Sequence, residues 1–379
     1  MNFHIRPDQA IKEVTHYAHK LGSGLHTLRD TGEVTVGATP KELVYREHKL
    51  RLYRFVPPAE RGPVLHVPLL IVYALVNRPY MTDLQEDRSL VRNLLKAGVD
   101  VYLIDWGYPD RADRYLTLDD YINGFIDRCV DAVCREHGEK QVDILGICQG
   151  GTFSLCYAAL HRQKVRNLIT MVTPVDFQSP KDMLSHWARR LDVDAAVDAF
   201  GNIPGDLLNW TFLMLKPYRL MGQKYVDLVE QLDDVKHVQN FLRMEKWIFD
   251  SPDQAGEAFR EFMKNFYQEN RLMRGGLEIG GREVSLRAVT MPVLNIYATE
   301  DHLVPREASM ALRHHVGTSD YTEVAFPGGH IGIYVSSKAQ RLVPSAIHDW
   351  LARRDVAESP PRPRGPSTAP VRESRPSKT

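Results

Sequence analysis

Cys148 lies in "ILGICQGGTFSL" (residues 144–155), where an apolar run reaches Gly146-Ile147-Cys148-Gln149-Gly150 and helix formers follow. Glycine two residues before and two after a nucleophile is the spacing of a sharp strand-to-helix turn, whose apex tolerates little bulk. Gly151 then permits close packing of the following helix. Such a turn projects the thiol from the C-terminal edge of a sheet, at a helix N-terminus that favours the thiolate. It also places the backbone N–H of Gln149 where an oxyanion would form. Nucleophilic acyl transfer is the chemistry that suits this pattern. The plainer reading is a small buried residue, since free cysteine is among the most buried residue types. Cys129, Cys134 and Cys156 fit that reading, on helical segments with no chemical motif beside them.

A nucleophile at such a turn needs a carboxylate and a histidine later in the chain, in that order. Asp301 ends an apolar run in "YATEDHLVP", and the preceding Glu300 would point the other way. Twenty-nine residues further on, "FPGGHIGIYV" puts His330 in a loop after the last strand, with Gly328 and Gly329 expected to give the backbone freedom to present it. The chain has 15 histidines, so position rather than residue type singles out His330. His302 reads as a structural neighbour of Asp301. Asp176, in "TPVDF", competes for the carboxylate role; Asp301 is favoured because a long insertion leaves the sheet at Asp176. The second oxyanion donor is expected from the loop after "LLIVYAL", between Leu75 and Asn77, with Val76 as the candidate.

These residues need a scaffold that brings strand ends together. From residue 64, continuous apolar strands at 68–76, 100–107, 142–148, 166–174 and 292–301 alternate with helical segments such as 87–98 and 116–138. A short strand at 322–326 and a helix ending near Asp349-Trp350 complete the series. That rhythm predicts an α/β fold with a mostly parallel sheet covered by helices on both faces. Before it, residues 33–55 alternate apolar and polar side chains and predict antiparallel edge strands with a turn near Thr39-Pro40. Between the strands ending at Pro174 and starting at Pro292 lie more than a hundred residues rich in helix formers, an expected helical cap over the strand ends. The organisation predicted is an N-terminal helical segment (1–32, with a helix over 7–21), a core (33–176 and 286–355), a cap (177–285) and a Pro/Arg-rich disordered tail (356–379).

Composition removes other classes. Formal net charge is zero, so no global field favours nucleic acid. No Cys/His spacing resembles a zinc site, and no metal is expected. The first residues lack the apolar core of a signal peptide, which predicts a reducing cytoplasm. "VLHVPLLIVYALV" (64–76) is too short to span a bilayer and reads as a buried strand.

With those residues in place, "GICQGG", "NRPYMTDLQ" (77–85), "VYLIDWGYPD" (101–110), "YATEDHLVP" and "FPGGHIGIYV" form an ordered set. Over most of residues 1–352 the chain resembles polyhydroxyalkanoate synthases, specifically the short catalytic subunit (PhaC) of the two-component class III enzymes. The resemblance implies an α/β-hydrolase fold and a Cys-His-Asp constellation at Cys148, His330 and Asp301. It implies polymerisation of (R)-3-hydroxyacyl-coenzyme A, of short chain length, into polyester. Coenzyme A leaves the substrate, and no cofactor is needed. In that family the aspartate activates the 3-hydroxyl, directly or through the histidine. The resemblance also implies a second subunit (PhaE-like, with a PhaR-like class IV partner as the alternative), a homo-oligomer, and a place at the surface of cytoplasmic polyester granules. Apolar cap residues such as Phe212, Leu213 and Met214 suit a site handling polyester and suit an ordinary cap core equally. The competing activity is a cysteine hydrolase with the same three residues and water as acceptor.

Overall fold

The computed structural model describes residues 33–355 apart from Lys181; the segment expected to be helical over 7–21 and the tail from Val356 lie outside the described residues. The main sheet is built from β1 (Lys41–Glu47), β2 (Leu50–Phe55), β3 (Leu69–Val72), β4 (Val101–Asp105), β5 (Val142–Ile147), β6 (Val165–Met171), β7 (Val293–Ala298) and β8 (Tyr321–Phe326). Its spatial order is β1-β2-β4-β3-β5-β6-β7-β8. The β1–β2 and β2–β4 pairs are antiparallel, and the pairs from β4 to β8 are parallel. The order reverses at β3–β4, so the strands carrying the loop after β3, the Cys148 turn and the Asp301 loop lie side by side or close by.

Every residue of β3, β4 and β5 is buried. That is the consequence of covering a parallel sheet on both faces. Along β5, Val142 and Ile144 face one apolar cluster, with Ile122, Val130 and Phe153. Leu145 and Ile147 face the other, with Leu94, Leu95 and Trp350. The strand's period of two thus serves two cores at once.

Helices form where amphipathic segments meet stop signals. In α1 (Leu90–Ala97), the Ser89 hydroxyl accepts from Arg92 N and Gly98 ends the helix at φ 102°. The expected helix over 116–138 begins at Asp120 as a π-helical stretch and becomes α2 (Asp127–His137), ended by Gly138 at φ 68°. The helix α3 (Gln149–Leu160) follows Cys148. The long interval contains α4 (Met183–Ala188), α5 (Val193–Phe200), α6 (Gly205–Met214), α7 (Lys224–Glu230), α8 (Val235–Phe249) and α9 (Gly256–Phe262). A π-helical turn, Met263–Gln268, continues α9, and α10 (Ser337–Ala352) packs near the end of the described chain. Ala188, Val193, Val197, Ile203, Phe259 and Met263 form a separate small core within the helical interval.

The edge-strand turn differs from expectation. β1 starts only after Pro40, and the reversal falls at His48-Lys49. Pro40 has no N–H to give a ladder, while Thr39 donates its N–H and hydroxyl to the buried Asp83 carboxylate. His48 takes the left-handed φ (48°) that lets two residues reverse the chain.

Gly151 is required by packing of α3 on the sheet. A Cβ there would lie 1.9 Å from Thr173 Oγ1 and 2.8 Å from Thr173 Cβ. We expect Gly151→Ala to cost about 2 kcal/mol through overpacking. Gly222→Ala, where a Cβ meets nothing within 4 Å, should leave the melting temperature unchanged or raised. Thermal melts of the two variants beside the parent check both.

Candidate active site

β5 ends at Ile147 and α3 begins at Gln149, so Cys148 alone makes the turn, at φ 53° and ψ −124°. A non-glycine residue in such a region costs about 1–3 kcal/mol and persists only where its surroundings over-determine it. They do so here. Cys148 N donates to Met171 O (2.9 Å), and Gly151 N donates to Cys148 O (2.9 Å). A Cβ on Gly146 would come within 2.6 Å of Gly151 Cα and Ser154 Oγ, and one on Gly150 within 2.2 Å of the Val72 carbonyl oxygen. Both flanking glycines are therefore demanded by close approach. Val172, just past β6, is a second strained position at φ 45°, and its neighbour Met171 supplies the carbonyl that holds Cys148. A β-branched residue at positive φ is a stronger outlier still, and no sequence signal marks it.

His330 stands in the loop after β8 with Nδ1 2.7 Å from Asp301 Oδ2. The other carboxylate oxygen of Asp301 accepts from the backbone N–H groups of Leu303 (2.8 Å) and Val304 (2.9 Å). The Asp301 side chain is completely shielded from solvent. With Nδ1 committed to Asp301, the second ring nitrogen is left for the cavity that His330 lines together with Cys148. Burial opposes a charge on His330, but the Asp301 carboxylate and then Cys148 favour the proton, and together they push the ring up to about 10. Asp176 is engaged elsewhere: its Oδ1 accepts from Gln178 N and Asn270 Nδ2, both at 2.9 Å.

The expected role of Gly328 and Gly329 needs correction. Neither is among the positive-φ glycines. Gly328 is small because a Cβ would fall 2.6 Å from the Phe326 ring, and Gly329 has ordinary room for one. The loop is anchored by Glu300 N donating to Gly328 O, not freed by glycine.

Around the thiol, Gln149 is the first residue of α3, and its N–H is among those no intrahelical carbonyl can take. Its side chain does something the sequence did not suggest: Oε1 accepts from Leu75 N at 3.0 Å. That ties the loop after β3 to the elbow and occupies the Leu75 donor. Val76, the next residue, lines a cavity of about 420 Å³ together with Cys148, Gln149 and His330. Helices of the long interval wall this cavity with Leu184, Trp187, Phe212, Leu213 and Phe259. Met214 does not join them; it is half exposed. His302 lines the cavity beside Asp301. Among the described residues no cluster of His, Cys, Asp or Glu could hold a metal ion. Burial pushes the Cys134 thiol up to about 11 and those of Cys129 and Cys156 further, as suits inert core cysteines.

Asp301 and Cys148 together make the proton on His330 a stabilising feature of the folded state. A histidine in an unfolded chain titrates near 6.5, whereas in the fold the Asp301 carboxylate and Cys148 push His330 up to about 10 against the effect of burial. The folded state binds more protons between those values, so stability is full below the lower one and declines as pH rises toward the higher. We expect the melting temperature of the parent protein to fall from about pH 7 to about pH 10 and Asp301→Asn to flatten that fall. Scanning fluorimetry at matched ionic strength measures both slopes.

The family described as alpha/beta hydrolase fold matches residues 67–337, and that described as "Poly-beta-hydroxybutyrate polymerase (PhaC) N-terminus" matches residues 23–94. The chain is 62% identical over 350 residues to the poly(3-hydroxyalkanoate) polymerase subunit PhaC of Allochromatium vinosum, covering 92% of this chain and 99% of that one. The protein of the same name from Thiocystis violacea is also 62% identical, with 92% and 98% covered. That from Synechocystis is 54% identical over 356 residues, with 92% and 94% covered. Sequence identity of that extent, on an α/β-hydrolase sheet carrying a cysteine elbow, makes this chain a member of the poly(3-hydroxyalkanoate) polymerase PhaC family.

Proposed function

We propose that the chain polymerises (R)-3-hydroxyacyl-coenzyme A, with a short acyl chain, into polyester and releases coenzyme A. Cys148, His330 and Asp301 carry the reaction. The observation that carries the reading is Cys148 and the Asp301-bound His330 lining one apolar cavity, in a chain 62% identical to a poly(3-hydroxyalkanoate) polymerase subunit over nearly its whole length.

In the first half-reaction His330 takes the proton of Cys148, whose sulfur attacks the thioester carbonyl. The bond to the coenzyme A sulfur breaks, and His330 gives that leaving sulfur its proton. Gln149 N–H and Val76 N–H are the proposed oxyanion donors. In the second, His330 takes the proton of the 3-hydroxyl of an incoming hydroxyacyl-coenzyme A. The hydroxyl oxygen forms an ester with the acyl group, and Cys148 leaves as thiolate. The lengthened chain, still a coenzyme A thioester, reacylates Cys148. No cofactor is required.

Asp301 acts through His330 in this scheme. Its side chain is shielded from solvent, one oxygen holds two backbone N–H groups and the other holds the imidazole, which supports a role through His330 over direct contact with a substrate hydroxyl. The apolar helical walls serve to keep water from the acyl-enzyme.

The Allochromatium, Thiocystis and Synechocystis relatives are each named a subunit, which supports a second, PhaE-like chain as partner. A homo-oligomer at the surface of cytoplasmic polyester granules completes the proposal. Among the described residues no helix is long and apolar enough to cross a membrane.

Incubation with 3-hydroxybutyryl-coenzyme A, with and without a PhaE-like subunit, tests the reading. We expect coenzyme A release with polymer, and none from Cys148→Ala. Free hydroxybutyrate without polymer would overturn polymerisation in favour of a cysteine hydrolase. Asp301→Asn should slow acylation and elongation alike, by on the order of 10²-fold. A loss confined to elongation in single-turnover acylation assays would return Asp301 to the substrate hydroxyl.

A further inference from the structure

The loop after β3 is anchored at both ends of its cavity-facing residue, and the two anchors belong to different parts of the molecule. On one side Leu75 N is held by the Gln149 side chain, within the core. On the other side Asn77 reaches into the helical interval. Its Nδ2 lies 3.3 Å from Trp247 O, 3.3 Å from Ile248 O and 3.4 Å from Asn209 Oδ1. Trp247 and Ile248 belong to the last turn of α8, where carbonyls lack intrahelical donors, and Asn77 supplies one. The contact is returned by Trp247 Nε1, which donates to Arg78 O at 2.8 Å. Just past α8, Asp250 accepts from Tyr80 (3.1 Å) and from Tyr108 (2.5 Å). Core residues 77, 78, 80 and 108 are thus bolted to the C-terminal end of one cap helix.

Asn77 itself sits at φ 59°. Asparagine enters that region more readily than most residues, but the conformation turns the chain sharply directly after Val76. The three acceptors around Nδ2 fix which way the amide faces, and the amide in turn holds Asn77 at that φ, which fixes the backbone leaving Val76.

We propose that Asn77 is a positioning residue that makes the oxyanion site depend on the seating of α8. Through it, the end of α8 fixes the backbone on the C-terminal side of Val76 while Gln149 holds Leu75 on the other side, and the two together limit how the Leu75–Val76 peptide turns its N–H toward the carbonyl attacked by Cys148. The inference rests on the reading of Cys148 as the acylated residue. The alternative is that Asn77 only caps α8, contributing to stability and nothing else.

Two variants separate these. Asn77→Gly permits the positive φ at no steric cost and removes the amide that holds it. Asn77→Asp keeps size and conformational preference but offers no donor to the carbonyls. Each is assayed three ways: single-turnover acylation by 3-hydroxybutyryl-coenzyme A, acylation by a p-nitrophenyl ester, and alkylation of Cys148 by iodoacetamide. The Cys148 peptide is followed by mass spectrometry. Both acylations build an oxyanion; alkylation forms a carbon–sulfur bond with loss of iodide and builds none. We expect both variants to lower the maximal acylation rate roughly 10- to 100-fold, with the substrate concentration for half-maximal rate unchanged, because only a transition-state interaction is lost. The rate and pH profile of alkylation should stay those of the parent. Trp247→Phe, which keeps the ring but not its N–H, should give a smaller loss of the same kind.

Parent-like acylation by either variant overturns the proposal. So does a fall in alkylation parallel to that in acylation, which would place the effect on the fold or on the thiol. Failure of the parent to react with the coenzyme A thioester while it reacts with the p-nitrophenyl ester would overturn the polymerase reading instead, and the ester alone then decides the role of Asn77.

Discussion

Cys148 occupies a backbone conformation that no side chain prefers, and the surrounding structure is arranged to leave it no alternative. β5 must end one residue earlier and α3 must begin one residue later, so the turn has no slack. Closing it brings α3 so near the sheet that Gly146, Gly150 and Gly151 have no room for a Cβ. The carbonyl that accepts from Cys148 N comes from β6, next to Val172, itself forced to positive φ. Local strain of a few kcal/mol is thus offset by a sheet and helix interface burying many apolar side chains. The exchange yields a thiol fixed at the end of the strand and the start of the helix, with a rotation set by packing.

A second constraint follows from the first. A thiol in a cavity walled by Leu184, Trp187, Phe212, Leu213 and Phe259 has little water to solvate any charge it develops. Charge must then be compensated by the protein. Asp301 receives two backbone N–H bonds and the imidazole, His330 receives the proton, and Cys148 completes the line. Breaking such a buried set by removing one member leaves the others uncompensated. Burial is for that reason not incidental to this site: it strengthens each interaction that holds the proton on His330.

Much of this was legible in the sequence because its signals are local. Period-two and near-continuous apolar runs located β3 to β8, and glycine spacing located the elbow. Strand ends located Asp301 and His330. What could not be read depends on distant parts of the chain. Nothing near Gln149 announces that its side chain holds Leu75, 74 residues away, or near Asn77 that its amide meets carbonyls 170 and 171 residues on. Val172 carries strain that its residue type would argue against. The Gly328-Gly329 pair shows the opposite failure: in a flexible-looking dipeptide, Gly328 is small for the sake of an aromatic neighbour and Gly329 has room for a side chain. The reversal at His48-Lys49 escaped notice because Thr39-Pro40 carried the stronger turn signal, while its true task was to meet Asp83.

If Cys148 is acylated as proposed, the preference for sulfur over oxygen at position 148 follows from what must happen afterwards. Transfer from one thioester to another changes bond energy little, so the acyl group keeps the activation it had on coenzyme A. An oxygen nucleophile would surrender that activation at the first step and leave the ester-forming step without a driving force. Retained activation carries a liability, because water attacks a thioester as a hydroxyl does. The two acceptors differ little in intrinsic chemistry, and selection between them falls to access. An apolar-walled cavity favours the acceptor that brings its own carbon chain, since burying that chain contributes about 25 cal/mol per Å² and water has none to bury. Sulfur at the elbow and apolar walls around it are two halves of one requirement.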